Sequence, residues 1–289
     1  MCASDKTNRD TLNKEFSLEE AISFMDDAVG MGLEVLLING GEPTIHPHIV
    51  QIIKEGVARF ETVVMASNGR RFSDMDFART LVESGLDAVG IPVYSTSSEK
   101  FDYIVQSLGA FKEVMKGISN LSNLSIDHNL KIALKILVMR PNYQENPDVV
   151  QMIKDHFPEP YSITLAGLRV GAKAFQRKDE LFIPYNIARP YTSEALRRVL
   201  PYKFNFDFLP LCALEPDLVI DLIKQGLIKT NLREHILRRP DGLSSDGREP
   251  FHYEPCCLEC DVYNACSKVH TKNVEELSYD SQLRAVSIS

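Results

Sequence analysis

Two groups of residues in this chain have types and spacing that suit chemistry. The first is a carboxylate behind a glycine pair, Asn39-Gly40-Gly41-Glu42-Pro43, followed by Thr44, His46, Pro47 and His48. A carboxylate and exposed carbonyls are the acceptors that an ammonium group needs. Paired glycines let a ligand come close to the backbone and can take positive φ. Pro43 biases Glu42 toward an extended backbone, which helps to fix its carboxylate. The second group is a set of soft ligands. Six cysteines stand at 2, 212, 256, 257, 260 and 266, and four of them fall within eleven residues. That is metal-site spacing, unlike the spread pattern of a disulfide framework. Cys257-Leu258-Glu259-Cys260 forms a CxxC turn that brings two thiolates to one metal. Cys266, and Cys212 from another segment, would complete a set suited to zinc or to an iron–sulfur cluster.

The elements that must position the first group read as alternating strands and helices. Val35 to Ile38 is an apolar run too short for a helix, expected as a strand over 34–39 buried on both faces. Ser17-Leu18-Glu19-Glu20 is a capping box that opens a helix with Ala21, Ile22, Met25 and Val29 on one face. Ile49, Ile52, Ile53 and Val57 mark a second helix. Further strands are expected at 62–66, 88–94, 131–139 and 161–168. Helices are expected from about Met75 to Ser84, up to about Leu124, and over 146–156. This order implies a parallel sheet with right-handed crossovers. Ligands of such sheets bind at the carboxyl ends of strands, where Gly40–Glu42, Ser67-Asn68 and Tyr94-Ser95 fall. Pro92, inside a strand, should mark a bulge or a position beside the ligand. After Gly171 the alternation stops. The expected division is therefore 1–172 and 173–289, with 173–190 irregular and helices near Ser193–Leu200 and Pro216–Lys224.

Composition sets bounds. Hydrophobic residues make up 44% and charged residues 25% of 289 positions, which is ordinary globular usage. A formal net charge of -8 argues against non-specific nucleic-acid binding. No apolar run is long enough for a membrane span, and no charged-then-apolar leader opens the sequence. A cytoplasmic location is expected.

GGEP with Thr44 and His46-Pro47 after one strand, SNGRRFS at 67–73 after the next, and GLDAVGI at 85–91 leading through a third resemble the radical S-adenosylmethionine (radical SAM) enzymes in order and spacing. The match runs from Cys2 to about Gly171, with another at the C-terminal cysteines. The resemblance implies an α/β fold: a partial parallel (β/α)6 barrel, here lacking its first strand, plus a smaller irregular C-terminal region that carries cysteines. It implies S-adenosylmethionine held by Gly40, Gly41 and Glu42, with Ser67, Asn68 and Ser95 at the same mouth. His46 and His48 then belong to a helix start and are not metal ligands. The family holds its catalytic [4Fe–4S] cluster with CxxxCxxC, which this chain lacks. Cys2 stands where the third cysteine of that motif would be. The expectation is a start at an internal methionine, leaving the chain inactive as given. The tail resembles SPASM or twitch motifs, implying an auxiliary [4Fe–4S] cluster, with zinc the other choice, on Cys212, Cys257, Cys260 and Cys266. The implied activity is that of an oxidoreductase that cleaves S-adenosylmethionine reductively and abstracts hydrogen from a small molecule or peptide. An electron donor such as ferredoxin or flavodoxin would be its partner. Two other classes remain open: a cluster-less binding or regulatory protein of the same fold, and a zinc-stabilised structural module.

Overall fold

The capping box at Ser17 forms and starts the first helix. Ser17 Oγ accepts from the Glu20 amide at 3.2 Å, and Glu20 Oε2 accepts from the Ser17 amide at 2.9 Å, satisfying two end donors at once. The helix, α1 (Leu18–Gly30), buries Met25 and Ala28. Val29, expected on that face, is exposed, because the contact side follows the i+3 and not the i+4 neighbour of Met25. The structure, a computed structural model, describes residues 16–157, 162–168, 176–200 and 202–228, with short strands at 251–252 and 269–270.

Six strands follow one another across one sheet in chain order: β1 (Val35–Ile38), β2 (Thr62–Ala66), β3 (Ala88–Val93), β4 (Lys131–Val138), β5 (Ser162–Gly167) and β6 (Phe204–Asp207). The strands are parallel, as in the β1–β2, β2–β3 and β3–β4 pairs. Helical connections include α2 (Ile49–Val57), α3 (Met75–Glu83) and α6 (Asn146–His156). This is the partial (β/α)6 class expected. β6 was not expected, since its four residues carry too short an alternation to stand out from a region without regular periodicity. A separate antiparallel pair joins β7 (Phe251–His252) to β8 (Val269–His270). The chain divides into two compact units, Met1–Ile136 with Gln151–Ile163, and Leu137–Val150 with Thr164–Ser289.

Register within the first unit separates two faces of the sheet. Leu36 pairs with Val63, Met65 with Val89, Val89 with Ile132 and Ile91 with Leu134, and all of these are buried. α2 covers this face, since a Cβ on its Gly56 would touch Leu36 and Val63. Val35 and Leu37 point the other way and are 57% and 56% exposed, so β1 is not buried on both faces as expected. The same opposite face carries Ala66, Gly90 and Ala133, aligned across three strands. Pro92 pairs with Lys135 inside an unbroken register and makes no bulge. The Gly90 carbonyl accepts from the Ser67 amide on the β2 side. Strand parity therefore aims the Pro92 nitrogen past Ala66, where β2 has ended and no ladder bond is lost.

The single helix expected up to Leu124 is two, α4 (Ser98–Val105) and α5 (Ala110–His128). Gln106 at φ 56 and Gly109 at φ 81 break the run, and Asp102 accepts from the Gly109 and Phe111 amides at 2.6 and 2.9 Å. In the second unit lie α7 (Lys178–Leu181), α8 (Tyr185–Val199) and α9 (Pro216–Lys224). α8 runs through Pro190, in a stretch expected to be irregular. Its buried side, which includes Tyr185, Ala188, Ala195 and Leu196, outweighs the hydrogen bond that proline removes. No described helix is long and apolar enough to cross a membrane.

Candidate functional site

The turn after β1 is shaped by Pro43, first residue of the 3-10 turn Pro43–Ile45, with Glu42 extended before it at φ -147 and ψ 107. Glu42 Oε1 accepts from the Thr44 amide at 3.2 Å, the Thr44 hydroxyl at 2.6 Å and the Ser67 hydroxyl at 2.8 Å. Oε2 accepts from the Asn68 amide at 2.7 Å. The carboxylate thus clasps the loops that follow β1 and β2. A carboxylate has about four lone-pair sites, two on each oxygen. Three donors therefore crowd Oε1, while Oε2 has one described donor and acceptor capacity to spare.

The loop after β2 is held from several sides. Ser67 is buried; its hydroxyl donates to Glu42 and accepts from the Gly69 amide at 3.0 Å. Gly69 sits at φ 83, a left-handed conformation that favours glycine. Asn68 Oδ1 accepts from the Arg70 amide at 2.9 Å, which orients its exposed Nδ2. Arg70 reaches Glu113 at 2.5 Å and Ser107 at 3.0 Å. Arg71 donates to the Thr44 carbonyl and lies 4.0 Å over the Phe77 ring. From α5, Asn120 Nδ2 donates to the Phe72 and Ser73 carbonyls at 2.8 and 3.1 Å.

Gly40 and Gly41 can take positive φ but do not use it here. Neither is among the positive-φ glycines, and a Cβ built on either meets nothing within 4 Å. Neither backbone conformation nor contact with described residues demands glycine here, so the turn stands open to a ligand. Gly41, Glu42, Ser67 and Asn68 come together at this opening. Ser95 is fully buried, and its hydroxyl accepts from the Ser97 amide at 3.0 Å in the loop that leads into α4.

His46 engages both ring nitrogens, Nε2 toward the Phe16 carbonyl at 2.7 Å and Nδ1 accepting from the His48 amide at 3.1 Å. It ties the start of α1 to the turn, a structural use. Among the described residues, no three His, Cys, Asp or Glu side chains gather to hold a metal. Cys212 lies in the turn Leu211–Ala213, its carbonyl accepting from Arg189 at 2.9 Å. Cys2, Cys257, Cys260 and Cys266 lie outside the described residues. Asn120 had no signal in the sequence, since it matters through carbonyls distant in the chain; Thr44 stood in the motif, but its bond to Glu42 could not be read there.

The radical SAM superfamily model matches residues 1–153. Fe-coproporphyrin III synthase of Methanosarcina barkeri is 26% identical over 141 residues, 49% of this chain and 34% of that protein. A probable GTP 3',8-cyclase of Saccharolobus solfataricus is 25% identical over 215 residues, 73% of this chain and 66% of that one. The chain thus spans between about a third and two thirds of these curated relatives. Streptococcus suis SuiB bound to S-adenosylmethionine shares the fold, with a TM-score of 0.59 and 12% identity over 94% of this chain and 71% of that structure. With the superfamily model covering more than half of its residues, the chain belongs to the radical SAM superfamily.

Proposed function

We propose that this chain carries the S-adenosylmethionine site of a radical SAM oxidoreductase, at the carboxyl ends of β1 and β2, in an enzyme that would abstract hydrogen from a substrate. The observation that carries the reading is the Gly40–Gly41 turn, open among the described residues and followed at once by Glu42, whose Oε2 has acceptor capacity to spare, at the strand ends where parallel sheets take ligands. Backbone carbonyls and Oε2 accept from the methionyl ammonium, and Asn68 Nδ2 donates to the ligand's carboxylate or ribose. Gly41, without a side chain, lets the ligand reach the backbone. Cys2 would be one thiolate ligand of a [4Fe–4S] cluster, which needs two more than this sequence offers near its start; such a cluster would supply the electron that splits S-adenosylmethionine into methionine and a 5′-deoxyadenosyl radical. Cys212, Cys257, Cys260 and Cys266 form a second donor set, for an auxiliary [4Fe–4S] cluster or zinc. The relatives' names span an iron porphyrin and a purine nucleotide, so the likeness to them supports shared cofactor chemistry and not a shared substrate. The substrate class is a small molecule or peptide, with a ferredoxin or flavodoxin as electron donor.

The test is Gly41→Ala in anaerobically reconstituted protein, measured by equilibrium dialysis with labelled S-adenosylmethionine and by urea unfolding. The unfolding midpoint should hold or rise slightly, since the new methyl meets nothing described within 4 Å and alanine restricts the unfolded chain. Affinity should fall about tenfold or more, roughly 1.4 kcal/mol. Wild-type protein that binds no S-adenosylmethionine would overturn the reading, and unchanged affinity in the variant would remove this turn from the site.

A further inference from the structure

We infer that Thr44 is a positioning residue for this site, its hydroxyl fixing the Glu42 carboxylate so that Oε2, not Oε1, meets the ammonium group of the ligand. The inference rests on the S-adenosylmethionine reading above. The terminal torsion of a glutamate is broad and two-fold, so its two oxygens exchange freely unless something distinguishes them. Here something does. Thr44 is wholly buried and supplies two donors to one oxygen, its amide at 3.2 Å and its hydroxyl at 2.6 Å. Ser67 adds a third donor to the same oxygen at 2.8 Å, while among the described residues Oε2 receives only the Asn68 amide. Rotating the carboxylate half a turn would put identical oxygens back; tilting it away would break several bonds on Oε1 at once. Thr44 is itself anchored, because Arg71 donates to its carbonyl. Acceptor capacity is therefore held at one place, beside the open glycines, before any ligand arrives. An ammonium binding there meets a carboxylate that has no orientation left to lose.

Thr44→Val replaces the hydroxyl with a methyl of similar size, and Thr44→Ser keeps the hydroxyl and drops the methyl. Both are compared with wild type by equilibrium dialysis against two ligands, S-adenosylmethionine and 5′-methylthioadenosine, which has the adenosine part without the amino acid. Thr44→Val should lose about tenfold in affinity for S-adenosylmethionine, the scale of one hydrogen bond to a charged group. It should bind 5′-methylthioadenosine like wild type, and Thr44→Ser should retain both affinities. Equal loss for both ligands, or no loss for either, overturns the positioning role. Should Thr44→Val fail to fold, Thr44→Ala removes the same hydroxyl without the added methyl and undergoes the same comparison, with the same two outcomes. A wild-type protein that binds 5′-methylthioadenosine but not S-adenosylmethionine overturns the underlying reading instead.

Discussion

Replacing Gly117 of α5 with alanine should unseat the loop that follows β2. A Cβ there would stand inside 3.0 Å of the Gly69 carbonyl oxygen and 3.2 and 3.3 Å from Cβ and the carbonyl carbon of Phe72. Two of those three atoms are backbone and cannot swing aside. Two effects compete. Alanine in a helix interior is favoured over glycine by about 1 kcal/mol, whereas overpacking a filled site costs about 1–3 kcal/mol. The second should win, because the loop has nowhere to retreat. On its other side Gly69 packs against Ile91, where even an added Cβ would come within 2.8 Å of Cγ2, and Asn120 and Arg70 pin the residues that follow it. A net loss of up to about 2 kcal/mol is expected, read as a lower urea midpoint. Gly56→Ala is the control: its Cβ would meet the Leu36 Cδ2 end at 2.6 Å, a side-chain tip that can rotate, so its loss should be smaller. Because the displaced loop carries Ser67 and Asn68, both bonded to Glu42, Gly117→Ala should also weaken S-adenosylmethionine binding in dialysis. A Gly117→Ala protein as stable as wild type, or more so, would refute the reasoning.

Two further expectations concern the tail and the core. Cys260→Ala should strip the auxiliary iron or zinc from anaerobically prepared protein, by metal analysis, and leave S-adenosylmethionine binding intact; wild-type protein lacking both metals beyond one cluster's complement would end that assignment. Burial pushes the Tyr94 phenol pKa well above its ordinary value. An unfolded tyrosine ionises near pH ~10, so stability tied to Tyr94 is whole below that pH and is lost as pH rises above it. Tyr94→Phe should therefore flatten the alkaline fall of the urea midpoint, and an identical fall in both proteins would contradict this.

What could be read from the sequence was local. The capping box needed only Ser17 and Glu20, three residues apart, and α6 and α9 began and ended where the apolar pattern put them. What could not be read depended on partners far along the chain. α8 continues through Pro190 because of what its other residues bury. The loop after β2 is held by Glu113 and Asn120, neither of which has a period or motif. Glu42 was legible as a carboxylate at a strand end, but its division of labour was not, because that arises only once Ser67 and Asn68 lie beside it.

The glycines separate fold from site in a way that sequence reading cannot. Gly69, Gly85 and Gly109 look no different in the sequence from Gly40 and Gly41. In the structure the first three sit at φ 83, 99 and 81, where a side chain would strain the backbone. Gly117 has ordinary φ but is crowded by backbone. Each of these four has a reason internal to the fold. Gly40 and Gly41 have neither reason among the described residues, yet each forgoes the conformational restriction that any other residue would bring to the unfolded chain, at about 0.5–1 kcal/mol apiece. Under the function proposed above, that cost, taken twice in succession at the carboxyl end of a strand and next to the Glu42 carboxylate, has its compensation in the ligand that lies against the turn. Openness alone does not mark a ligand, since Gly30 at the end of α1 is equally open and has no positive φ; the strand end and the Glu42 carboxylate set Gly40 and Gly41 apart.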